Sequence, residues 1–102
     1  MVTYNKLVRD RIPEIIISQG EAPKTRILDN AEYLSCLENK LDEEVGEFHR
    51  DKTPEELADI LEVVLALAEA TGCSKEALLN IYREKHQVRG GFSKRIFLIS
   101  KE

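Results

Sequence analysis

Cysteine is scarce in this sequence: two residues in 102, Cys36 and Cys73, far apart and in no CxxC arrangement. That excludes a disulfide framework and a zinc ribbon, and fits reduced thiols in a cytoplasmic protein. Basic surplus is also missing. The formal net charge is −4, which argues against a protein that coats nucleic acid polymers. Long apolar runs are absent too: Ile15 to Ile17 is the only early one, too short for a signal peptide or a membrane span. There are no repeats or low-complexity tracts. The chain carries no G-x-x-x-x-G-K-[ST] loop and no EF-hand loop. The residues three before His49 and His86 are Gly46 and Arg83, so the Glu-x-x-His pairs of a di-iron bundle are missing.

What is present is a soluble, one-domain composition, 42% hydrophobic and 33% charged, too apolar for a disordered chain. The charge is segregated. Between Glu38 and Glu62 stand ten acids against Lys40, Arg50 and Lys52, whereas Arg83, Lys85, Arg89, Lys94, Arg95 and Lys101 make the C-terminal part basic. Lys6, Arg9 and Arg11 add positive charge near the N-terminus. Such an arrangement suits a cation site beside a phosphate site, or simply solvated faces of opposite sign.

The local signals predict an all-α chain of four helices. The first runs from about Asp10 to Gln19, with Pro13 in its first turn and Gly20 as its stop. Asp29 or Asn30 caps a long second helix to about Asp51. Thr53-Pro54-Glu55-Glu56 opens a third, with Thr53 at the N-cap, Pro54 next and Glu56 three residues on. Gly72 ends it. Ser74 caps a fourth from Lys75 to about Val88. Thr25 to Leu28 and Arg95 to Ile99 read as two short extended segments that would pair in an edge ribbon on the helical bundle.

The acids fall where a helix pattern does not want them. Leu34, Leu37, Leu41 and Phe48 form a seam of alternating threes and fours whose missing member is Glu44. Glu47 follows one turn on, and Glu43 flanks it. The third helix reads LADILEVVLALA from Leu57 to Ala68, apolar almost all round as a buried central helix would be, with Asp59 and Glu62 its only charges. A carboxylate in such surroundings pairs, protonates or binds a cation. Glu56 lies one turn before Asp59. The connection through Lys52-Thr53-Pro54 is short enough to make the two helices antiparallel neighbours whose acids converge. An all-carboxylate set suits Mg²⁺, or Mn²⁺, rather than zinc. Residue by residue, ordinary roles compete: Glu56 is what a capping box asks for, Glu43 fits an exposed helix charge, and Glu62 can pair with a basic residue of another helix.

These residues resemble a known family. Glu43-Glu44-x-x-Glu47 followed by Glu56-x-x-Asp59 is similar to the EExxE…ExxD signature of the MazG-like nucleoside triphosphate pyrophosphohydrolases, an all-α superfamily that also holds phosphoribosyl-ATP pyrophosphohydrolase and the dimeric dUTPases. The run from Tyr4 to Pro13 and Arg89-Gly90-Gly91-Phe92 look like one small branch, described as house-cleaning or phosphoribosyl-ATP-pyrophosphohydrolase-like. The resemblance covers nearly the whole chain. It implies hydrolysis between the α- and β-phosphates of a nucleoside triphosphate, releasing monophosphate and pyrophosphate. It assigns Glu44, Glu47, Glu56 and Asp59 to Mg²⁺, and leaves Glu43, Glu44 or Glu47 to orient or deprotonate the water. Glu62, outside the minimal motif, would support the ligands from one layer out. Lys85 and Arg89 would contact phosphate, with Lys6, Arg9 and Arg11 as further contributors. A homodimer, or else a homotetramer, is implied as well. The alternatives are phosphoribosyl-ATP as substrate, or a non-catalytic helical dimer that binds nucleotide or a protein partner. Only eight residues separate Glu47 from Glu56, shorter than is common in the family.

Overall fold

The computed structural model describes residues 2–102. Four helices follow one another: α1 (Ile12–Ser18), α2 (Asn30–Asp51), α3 (Pro54–Ala70) and α4 (Lys75–Arg89). The local chemistry explains their limits. Pro13 sits in the first turn of α1, where its missing N–H costs nothing, and Gly20 beyond it takes φ +84°. The Asp29 side chain accepts from the Glu32 amide at 2.8 Å, and the Ser74 hydroxyl accepts from the Ala77 amide at 3.1 Å. Gly72, at φ +91°, stops α3.

No β-strand forms among the described residues, so the expected edge ribbon does not exist. Thr25 to Leu28 and Arg95 to Ile99 remain single, unpaired segments, and Arg95 itself turns at φ 58°. Both carry strand-like side chains, but a strand is defined by a ladder, and neither has one.

Only two residues, Lys52 and Thr53, separate α2 from α3, and Lys52 adopts the left-handed conformation at φ 53°, ψ 40°. This tight turn lays α3 back along α2, and α4 then packs on α3. Helix α1 packs on none of the other three. The result is open and elongated, 61 × 31 × 23 Å, with a radius of gyration of 18.0 Å where a compact chain of this length gives about 13 Å. Among the described residues the buried apolar side chains are Leu37 and Val63, one from each arm of the hairpin. Helix α3 is central, as its sequence predicts, but it is not enclosed: Leu57 and Leu61 are 50% and 55% exposed. Among the described residues, no helix is long and apolar enough to cross a membrane.

Candidate metal centre

The third residue buried in the hairpin is an acid. Glu44, on the seam of α2 that faces α3, is 7% exposed. Glu47 lies one turn further on the same face. From α3, Glu56 in the first turn and Asp59 one turn later face them. The antiparallel hairpin thus gathers four carboxylates, each with an oxygen within 4.8 Å of the others'.

Two of these oxygens have no partner. Glu44 Oε2 and Glu56 Oε2 are both buried and accept no hydrogen bond. Burial pushes the Glu44 carboxyl above its ordinary range; its contact with Glu47, and the charges of Glu47 and Asp59, add to that, while Lys40 opposes it. Burial likewise raises Glu56, helped by the charges of Glu47, Asp51 and Asp59. At the start of α3 Thr53 makes no side-chain cap hydrogen bond, so the reciprocal capping box with Glu56 is not formed.

Two cations, Lys40 and Arg9, offset part of this charge, and Lys6 pairs with Glu43 beside it. The Lys40 Nζ stands 3.6 Å from Glu44 Oε1 and 3.7 Å from Glu43 Oε2. Lys6 donates to Glu43 Oε1 at 3.4 Å, and Arg9 donates through Nη2 to Asp59 Oδ1 at 2.6 Å. Glu43 is therefore held by two lysines just outside the four-carboxylate set. Glu62 is exposed on α3 and is not one of the gathered acids. Lys85 and Arg89 are exposed on α4, and neither forms an ion pair with the cluster among the described residues. Arg11 pairs locally with Glu14 at 3.2 Å.

The donor set fits a hard divalent cation. All four groups offer oxygen, two of those oxygens are buried without a partner, and the four carboxyl groups are paired with only two cations, Arg9 and Lys40, among the described residues. Sequence reasoning passed over Lys40, although its spacing to Glu43 and Glu44 (i+3 and i+4) put it in reach of both.

No family model and no solved structure matches the chain. Over 48 residues it is 50% identical to an uncharacterized protein of Mycolicibacterium smegmatis (strain ATCC 700084 / mc(2)155), a match that takes in 47% of this chain and 49% of that protein. The matched stretch thus spans about half the length of the curated relative.

Proposed function

We propose that the chain is a Mg²⁺-dependent nucleoside triphosphate pyrophosphohydrolase of the MazG-like kind, with Mn²⁺ as a substitute ion. The observation that carries this reading is the four-carboxylate cluster, with the buried, unpartnered oxygens of Glu44 and Glu56 inside it. Glu44 and Glu47 from α2, with Glu56 and Asp59 from α3, would hold the ion. A divalent ion there supplies Lewis-acid polarisation of a phosphate and eases deprotonation of water. Glu43 lies next to this set without belonging to it, held by Lys6 and Lys40, and so is a carboxylate available to orient the water. Glu44 and Glu47 are the other candidates for that role. Arg9 and Lys6 already reach the site from the N-terminal segment, whereas Lys85 and Arg89 would reach a phosphate from α4. Glu62 would act only through the charge it adds on α3.

The exposed apolar surface supports association of identical chains, as a dimer or else a tetramer. Leu57 and Leu61 on α3, with Ile81 and Tyr82 on α4, are too many large apolar groups for a free surface to carry at no cost. The two unpaired thiols, Cys36 and Cys73, agree with a cytoplasmic setting.

The test is pyrophosphate release from a panel of ribo-, deoxyribo- and modified nucleoside triphosphates and phosphoribosyl-ATP, with Mg²⁺ and with EDTA. Mg²⁺-dependent release with a monophosphate product supports the reading, and the ranking of substrates separates house-cleaning of non-standard nucleotides from histidine synthesis. Folded protein that releases nothing across the panel overturns it.

A further inference from the structure

Arg9 is half-exposed but paired. Its guanidinium donates to Asp59 at 2.6 Å across fifty positions of sequence. Three residues earlier, Lys6 reaches Glu43 on the other arm of the hairpin. The segment from Lys6 to Arg9 therefore lies across the acidic face, with one cation on α2 and one on α3. Helix α1, which follows, packs on no other helix. Among the described residues these two ion pairs are the side-chain polar links between the N-terminal segment and the hairpin.

We propose that Arg9 is the resident counter-ion of the four-carboxylate site: it holds Asp59 while no divalent cation is bound and gives up that oxygen when one is. The N-terminal segment is then a latch whose position follows the occupancy of the site. This rests on the cation reading above and adds the competition. Two observations support it. Arg9 occupies an oxygen of one of the four gathered acids, and the pair is 55% and 40% exposed, the weaker kind of ion pair that a stronger cation displaces. The freed guanidinium keeps five N–H donors in a planar fork, suited to a phosphate that enters with the ion.

The test is Mn²⁺ binding to the full chain, followed by the loss of the free-ion electron paramagnetic resonance signal, for wild type, Arg9→Gln and Arg9→Lys. Removing the competitor should tighten Mn²⁺ binding by about twofold to fivefold in Arg9→Gln, the range one exposed pair commands. Arg9→Lys should bind much as the wild type does. A second measurement needs no variant: trypsin should cut the wild-type chain after Lys6 and Arg9 at least about threefold faster with Mn²⁺ than without, as the latch opens. Equal or weaker Mn²⁺ binding by Arg9→Gln overturns the latch and leaves the cation site standing, as does cleavage indifferent to bound Mn²⁺. Absence of Mn²⁺ binding in both wild type and variants overturns the cation site and the latch together.

Discussion

Replacing Glu44 by glutamine should stabilise the protein in the presence of a chelator. Glu44 is the most buried of the four acids, and its neighbours' oxygens lie within 4.8 Å. At that separation two carboxylate charges repel by roughly 3.5 kcal/mol at an effective dielectric of about 20. Glu44 can always escape such repulsion by taking a proton. At pH 7, for a carboxyl with an ordinary value of 4.5, that escape costs about 3.4 kcal/mol and caps the penalty. While Glu44 is ionised, the attraction of Lys40, 3.6 Å away, offsets about 1 kcal/mol of the repulsion and keeps the net penalty below that cap. The expected gain is therefore about 2 kcal/mol, or roughly 10 °C in Tm for a domain of this size. The pH dependence has a definite sign. The folded-state value of Glu44 is raised, so its contribution to stability is fully present below 4.5 and is lost as pH rises through the raised value. The two proteins should match near pH 4, and the gap should open toward neutrality. Added Mg²⁺ should raise the Tm of the wild type and close or reverse the gap, because the variant lacks one ligand. Thermal unfolding by circular dichroism in EDTA and in Mg²⁺, at pH 4 and pH 7, reads all of this. A variant less stable than wild type in EDTA at pH 7, or a gap that ignores pH, would refute the reasoning.

Other expectations are open to direct measurement. On the proposed pyrophosphohydrolase reading, Asp59→Asn and Glu47→Gln should each lower Mg²⁺-dependent pyrophosphate release at least a hundredfold while the helical circular dichroism signal persists. Ser74→Ala should cost about 1 kcal/mol in urea unfolding because it removes a formed cap, whereas Thr53→Ala should cost far less because Thr53 caps nothing. Lys52→Val should cost about 1–2 kcal/mol, since a β-branched side chain resists the left-handed turn that Lys52 adopts, and Lys52→Gly should be close to neutral. On the proposed association of identical chains, Leu57→Asp combined with Leu61→Asp should lower the sedimenting mass to that of one chain without loss of helix.

The helices were legible because their signals are local. Asp29, Ser74, Gly20 and Gly72 each act within one turn of their own position, and all four do what their side chains or backbones predict. The meeting of the acids was legible for a related reason. A two-residue connection leaves α3 little choice but to return along α2, and Glu44 stands on the seam that faces it. The ribbon was misread because an apolar run such as Ile96 to Ile99, with β-branched residues at its ends, fits a strand in composition, while a ladder requires a second segment brought alongside. The hydropathy of α3 was misread in part: a helix apolar all round looks the same in sequence whether or not its own chain covers every side, and here Leu57 and Leu61 stay uncovered. The reach of Arg9 to Asp59 spans fifty residues and leaves no periodic trace.

The turn at Lys52 and Thr53 has a consequence for how the site comes into being. All four carboxylates lie between positions 44 and 59, on a hairpin whose arms meet through neighbouring stretches of sequence. Contacts of such short range form early in folding, since little loop entropy is lost in making them. A hairpin that forms ahead of the rest of the chain would bring the acids together during folding, where their mutual repulsion would act on the folding step itself. A divalent cation that relieves it should speed folding as well as slow unfolding, giving a refolding rate that rises with Mg²⁺ concentration.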